Sequence, residues 1–396
     1  MIAISPTIIV VAFSRPQALR RSLRALNNAY YRQPVNLIIS IDGGASEEVV
    51  SVAKEFDFEC GEKKVVEYKE NMGLRRHILR CGDLSKTKGS IILLEDDIVV
   101  DKFFYVFAQD ALSFYHNDEE IAGVSLYSPE YNEYAGLPFS PLRSQYDTYF
   151  MQVPCSWGQA WTSAQWSAFR SWQEGVDDLD VKNSVKLPAY VKKWKGSSWK
   201  KYFALYLAEC NKKFVYPYLS HATNVSDAGG FHNVSGSNIV QVGLPLQNRD
   251  FRKYSFSPIH ENSIEYDSFM ENCTESVLRL IKEHNGLQGS LCFDVYGQKG
   301  KELISEYDYC VTIKKANSQI CRYKADYRPI ENNIIFSSTT DRRGFELALV
   351  ETCSLKFDFP WYSINLLLYW SGFNYLARKF AVANAVGLFK KVMYKL

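Results

Sequence analysis

Residues 91–101 run Ile-Ile-Leu-Leu-Glu-Asp-Asp-Ile-Val-Val-Asp. An apolar run, Ile91 to Leu94, ends in three consecutive acids, Glu95, Asp96 and Asp97, before Ile98 to Val100 and Asp101. Three adjacent carboxylates repel one another, and the end of a buried strand is a costly place to desolvate them. The pattern makes sense around a cation. Hard oxygen ligands of this kind suit Mg²⁺ or Mn²⁺, which keep some waters and also bind substrate phosphates. The alternative is a solvated acidic turn between two strands.

The first 125 residues alternate strand and helix patterns, which predicts a mostly parallel sheet covered by helices. Strands are expected over 7–13, 37–41, 64–68, 90–94 and 122–126. Helices are expected over 16–28, 74–84 and 102–116, with a further one opened by Ser46 and its early acids Glu47 and Glu48. In open α/β sheets, ligands bind in the crevice outside the carboxyl ends of the strands. Ser14-Arg15, Asp42-Gly43-Gly44 and Glu95-Asp96-Asp97 all fall at such ends. Arg15 suits a phosphate, Asp42 a base or ribose, and the triplet a metal.

Beyond residue 126 the pattern loosens, and 127–250 is rich in aromatics and Gly. A helix over 268–284 and short strands at 311–313 and 334–338 are expected further on. The chain divides on this reading into a catalytic domain 1–250, an appended mixed α/β region 251–355 and a tail 356–396. The net charge of +2 argues against nucleic-acid binding driven by bulk electrostatics. Aromatics make up 15% of the chain, an enrichment common where sugars stack on ring faces and also in ordinary cores. The nine cysteines include no Cys-x-x-Cys, and the first residues read as a core strand, not a signal peptide. A reducing cytoplasmic setting with free thiols is the expectation, and the three Asn-x-Ser/Thr matches are then chance.

The pieces now in hand resemble the nucleotide-sugar glycosyltransferases of the GT-A fold. They look closest to the group around the Golgi N-acetylglucosaminyltransferase that starts complex N-glycans, with its bacterial relatives in surface-polysaccharide synthesis. The resemblance covers about residues 5–240 and rests on an ordered set. Its members are Val11-Ala-Phe-Ser-Arg-Pro16, Ser40-Ile-Asp-Gly43, Asn71-Met-Gly-Leu74 with Arg76-His77, and Leu94-Glu-Asp-Asp97. Ser156-Trp-Gly-Gln-Ala-Trp161 with Trp166, Pro217 to Asn224, and Gly229-Gly-Phe-His232 follow.

The resemblance implies a metal-dependent transfer from a nucleotide-sugar donor, UDP-linked by preference, to an acceptor hydroxyl on a bacterial polysaccharide or lipopolysaccharide, with inversion. Arg15 would contact the diphosphate, Asp42 and His77 the base, and Asn71 and Gly73 would shape the nucleotide pocket. Glu95 and Asp96 would touch the ribose and sugar side. Asp97 would bind Mn²⁺ or Mg²⁺ directly, joined by His232. Trp157 and Trp161 would lie under the donor sugar or the acceptor; Trp166 and Trp172 read as core.

An inverting transfer needs a general base, and a carboxylate is the usual choice. The family's base is an Asp beside a Trp. Here the corresponding stretch is Ser197-Ser-Trp-Lys-Lys-Tyr202, and Lys200 falls where the Asp is expected. Glu209, Asp227 and the group Asp177, Asp178 and Asp180 are the alternative carboxylates, unless the chemistry has been lost.

The stretch 359–396 combines aromatics, a Leu-rich run and basic residues with no acid after Asp358. That is the pattern of an interfacial helix, which suits peripheral contact with a membrane and a lipid-linked glycan acceptor. A helix docked on the catalytic domain or an oligomer contact is the other reading. The rival functions are a sugar-nucleotide pyrophosphorylase, which the Gly-poor Ala12 to Pro16 loop opposes, and a catalytically degenerate glycan-binding or scaffold protein.

Overall fold

The computed structural model describes residues 4–227, 239–245, 253–324, 327–337, 339 and 347–357. His232, the Gly229-Gly230 pair and the tail from residue 358 lie outside the described residues. The described residues fall into two compact units, one within 4–134 and 139–279, the other within 135–138 and 280–357.

In the first unit, β1 (Thr7–Ala12) is buried along its whole length, as its β-branched sequence predicts. Pro16 opens α1 (Pro16–Asn27), which buries Ala18, Leu19, Leu23 and Leu26 on one face. Each of these leucines, fully buried, contributes roughly 1.5–3 kcal/mol. β2 (Val35–Ile41) follows, and the Ser46 hydroxyl caps α2 (Glu47–Glu55) by accepting from the Val49 amide. β3 (Gly61–Glu67), α3 (Gly73–Asp83), β4 (Ser90–Glu95) and the short β5 (Ile98–Val100) come next. α4 (Phe104–Tyr115) is buried on nearly every side, and β6 (Ile121–Ser125) closes the regular alternation.

Thereafter come β7 (Thr148–Met151), β8 (Gln159–Thr162), α5 (Ser163–Gln173) and α6 (Lys200–Glu209). β9 (Lys213–Pro217), β10 (Ala222–Asn224) and β11 (Glu265–Tyr266) complete the strands of this unit's main sheet and of a small ribbon. The main sheet has nine strands in the order β11-β7-β9-β6-β8-β4-β1-β2-β3. It is an α/β fold with a mostly parallel sheet flanked by helices. β8 runs antiparallel between β4 and β6, pairing Ala160 with Ile92 and with Val124. β5 and β10 form a separate antiparallel ribbon in which Asn224 faces Ile98.

The helix expected over 268–284 begins only at Glu275 and runs to Asn285. The Asp267 carboxylate takes the amides of Phe269 and Glu271, a local turn that competes with helix over the first residues. The strand expected at 334–338 is instead a helical turn, Asn332–Ile335, knotted by the Asn333 side chain to Tyr327 and Ile330. The second unit holds a four-stranded sheet of β12 (Leu291–Asp294), β13 (Tyr309–Thr312), β14 (Cys321–Tyr323) and β15 (Leu347–Glu351), in the order β12-β13-β15-β14. Among the described residues, no helix is long and apolar enough to cross a membrane.

Candidate functional site

Parallel pairing aligns the carboxyl ends of the central strands. Val11 stands beside Glu95 and Ala12 beside Ile41, so the chain leaves β1, β2 and β4 at one sheet edge. Arg15, three residues past β1, meets the acidic triplet there. Its guanidinium donates to Asp97 Oδ2 at 2.7 Å and to Asp96 Oδ1. Burial alone would lower the Arg15 pKa, but the two carboxylates outweigh it and raise it. Burial pushes Asp96 up to about 6 despite Arg15. Glu95, which Arg15 does not bond, is pushed up to about 8 by burial and then by the Asp97 charge.

Among the described residues, no three His, Cys, Asp or Glu side chains stand together as a ready-made metal cage. The site does hold a buried carboxylate oxygen, Asp97 Oδ1, with no hydrogen-bond partner among the described residues. Asn224 Oδ1 is a second such acceptor, and the backbone joins the two segments through the Val225 amide on the Asp97 carbonyl, 3.2 Å apart. Orphaned buried oxygens are costly and rare. They fit an ion such as Mg²⁺ or Mn²⁺, which takes one or two protein oxygens and the rest from water and phosphate.

Asp42 has a different geometry from the one its motif suggests. Its carboxylate accepts the amides of Gly43 and Met72 at 2.9 Å and of Gly73 at 3.0 Å. It therefore ties the loop after β2 to the turn before α3. Gly43 permits the approach, because a Cβ there would lie 2.2 Å from the Glu70 carbonyl carbon. Gly73 has φ +73°, the left-handed region, and its amide is shared with the exposed Asn71 side chain at 2.9 Å. His77 is buried, its Nε2 2.8 Å from Ser40 Oγ and its ring edge-on to Tyr68. Burial lowers its pKa, so it is neutral at pH 7 and braces this loop from behind.

The antiparallel register Gln159 with Leu93 brings Trp157 toward the end of β4 that carries Glu95, and a small pocket of about 30 Å³ there has walls that include Tyr127, Tyr131, Trp157 and Tyr216. Trp157 packs edge-on to Tyr127, with ring centroids 4.8 Å apart. Lys200, the first residue of α6, and Glu133 also line it, joined by a 2.9 Å ion pair. The Lys200 ammonium lies 5.3 Å from the Trp157 ring centre and 5.1 Å from that of Trp194. Burial would lower the Lys200 pKa, yet Glu133 carries it upward, so Lys200 is a fixed cation and not a proton acceptor. Its charge acts on Glu95 as well.

Trp161 does not belong to this cleft. It is 0% exposed and packs against Trp166, Trp199 and Phe203. A fully buried ring has no face to offer a sugar, so the expected stacking role is corrected to a core one. Trp166 is core as expected, its indole bonded to Asp83 at 2.9 Å. Glu209 ends α6, nine residues and about 14 Å of helix from Lys200. Its carboxylate takes the Ser184 hydroxyl and pairs with Lys186. Both Asp227 oxygens are held by Arg21. Asp177 and Asp180 form a capping box, and Asp178 pairs with Lys201 and Lys182.

Two features carry no motif. Glu133 directly follows the two-residue strand Tyr131–Asn132, and only its approach to Lys200 marks it. Asp101 and His221 form a buried pair, Oδ1 to Nδ1 3.1 Å, with His221 stacked on Phe107 at 4.6 Å. The Asp101 amide bonds the His221 carbonyl, so this pair clamps the end of the β5–β10 ribbon opposite to Asp97.

No protein-family profile matches the chain, and no curated protein matches it in sequence. Similar solved structures include a mannosyltransferase from Pyrobaculum calidifontis in complex with GDP-Man and Mn²⁺, at 11% identity and TM-score 0.40 over 58% of this chain and 59% of that one. S. aureus TarS 1–349 is similar at 9% identity and TM-score 0.37, over 55% and 60%. GalNAc-T7 with UDP, GalNAc and Mn²⁺ is similar at 13% identity and TM-score 0.39, over 60% and 47%. The chain spans less than two thirds of the length of each of these structures.

Proposed function

We propose that this chain is a metal-dependent glycosyltransferase that moves a sugar from a nucleotide donor to an acceptor hydroxyl. The observation that carries the reading is the Arg15–Asp96–Asp97 cluster at the strand ends, with Asp97 Oδ1 buried and without a partner among the described residues. A divalent ion on Asp97 would neutralise the departing diphosphate. Arg15 is placed to exchange a carboxylate for a phosphate oxygen, because a guanidinium bonds both in the same bidentate manner. Glu95 and Asp96 face the ribose and sugar. Asn71, Gly73 and the Asp42-anchored turn shape the nucleotide pocket, with His77 as its brace. Trp157 gives the sugar an apolar ring face, and Lys200 and Glu133 give it polar contacts. The motif resemblance favours UDP, an inverting transfer, and a bacterial surface glycan or its lipid-linked precursor as acceptor. The 356–396 tail would supply the peripheral membrane contact.

Lys200 in the place of the expected Asp favours a second reading, a degenerate glycan-binding protein on the same fold. The two separate on one assay. Release of UDP or GDP from nucleotide sugars in the presence of Mn²⁺, abolished by Asp97→Ala, supports the enzyme. Glycan binding with no nucleotide binding supports the alternative.

A further inference from the structure

We infer that Glu133 takes the proton of the acceptor hydroxyl and that Lys200 positions it, an assignment that rests on the glycosyltransferase reading above.

The backbone at Glu133 is fixed from both sides. Asn132 before it is fully buried and its side-chain oxygen accepts the Tyr134 amide at 3.0 Å. Tyr134 after it is buried too. The Glu133 side chain then emerges into the cleft, 24% exposed, with Oε1 on Lys200 Nζ. Oε2 has no hydrogen-bond partner among the described residues. Every other candidate carboxylate is engaged away from the cleft, with Arg21, with Lys201 and Lys182, in a helix cap, or at the far end of α6. Among the described residues, Glu133 is the acid that lines the cleft.

Lys200 explains how the carboxylate is aimed. Its side chain is only 13% exposed and lies against Trp157 and Trp194. A cation boxed in this way fixes its partner's position and leaves the second oxygen unengaged by it. Trp157, which Lys200 lies against, precedes a strand whose Gln159 pairs with Leu93, so the pair is carried toward the strand end that bears Glu95, where the donor diphosphate is proposed to bind. The family position expected to carry an Asp thus carries the cation, and the carboxylate arrives from another segment.

The step balances as a single displacement. The acceptor oxygen forms a bond to the anomeric carbon as the bond from that carbon to the phosphate oxygen breaks. The bonding electron pair leaves with the diphosphate, and the hydroxyl proton passes to Glu133 Oε2. Water can take the acceptor's place, so donor hydrolysis reports the same group.

The test uses the full chain with Mn²⁺ and UDP-Glc, UDP-GlcNAc, UDP-GalNAc and GDP-Man as probes, with calorimetric UDP and GDP affinities measured alongside. Glu133→Gln should lower the hydrolytic kcat by about 100-fold or more while leaving the nucleotide affinity within twofold. Glu133→Ala should recover part of that loss in added formate, which a purely structural role would not produce. Lys200→Met should move the acid limb of the pH–rate profile upward, and Lys200→Arg should restore it. Hydrolysis by Glu133→Gln within threefold of the parent overturns the assignment. So does a parent protein that binds nucleotide yet hydrolyses none of the four donors, because a base beside the donor would activate water. A parent that binds neither nucleotide overturns the glycosyltransferase reading itself.

Discussion

Replacing Glu95 by Gln should make the ligand-free protein more stable, and only above mildly acidic pH. Glu95 is half-buried beside Asp96 and Asp97, and its pKa is pushed up from 4.5 to about 8, by burial first and the Asp97 charge second. A carboxyl raised in the folded state contributes its stability in full below the unfolded value, and that contribution is lost as pH rises to the folded value. The window is therefore about pH 4.5 to 8. One pKa unit is worth about 1.4 kcal/mol, so keeping such a group protonated at pH 7 costs up to about 3 kcal/mol. Partial exposure discounts that to about 2 kcal/mol. Gln keeps the shape and removes the charge. At roughly 2–4 °C per kcal/mol for a domain of this size, Glu95→Gln should raise Tm by about 4–8 °C at pH 7 and by at least as much at pH 8. At pH 5 it should leave Tm nearly unchanged. Thermal unfolding followed by circular dichroism at these pH values reads this directly. An unchanged or lower Tm at pH 8, or a gain independent of pH, would refute the reasoning that the triplet is an electrostatic liability kept for a ligand.

Other consequences follow from the same geometry. Trp161→Ala should cost about 3–5 kcal/mol in denaturant unfolding, since a fully buried indole leaves a cavity; a loss below 1 kcal/mol would contradict its core placement. Asp42→Asn removes one acceptor from three backbone amides and should cost about 1.5–3 kcal/mol, with faster hydrogen exchange at Met72 and Gly73; unchanged exchange there would show that the carboxylate does not hold the turn. Arg15→Met should weaken UDP or GDP binding at least tenfold in calorimetry, and undiminished affinity would place the diphosphate elsewhere.

Much of the architecture was legible in the sequence up to residue 126, because strands buried on both faces and one-faced helices leave strong periodic signals. The edge where Arg15, Asp42 and the triplet meet follows from parallel pairing alone. The rest depends on contacts between distant segments. Gln159 to Thr162 reads as part of a sugar-facing motif, yet it forms a central antiparallel strand, since four residues are too few to show a period. Asp42 looks like a ligand group in its Ser-Ile-Asp-Gly setting, and only the approach of the 71–73 turn reveals three amides on its oxygens. Glu133 has no pattern around it; a long-range partner, Lys200, singles it out. The same holds for Asp101 and His221, 120 residues apart.

The central claim is that Asp97 holds a divalent ion for a nucleotide donor. Isothermal titration of UDP and GDP, with and without Mn²⁺, on the parent and on Asp97→Ala tests it most directly. The account predicts metal-dependent binding of one nucleotide by the parent and its loss in the variant. Metal-independent binding that Asp97→Ala leaves intact, or no binding of either nucleotide, would contradict it.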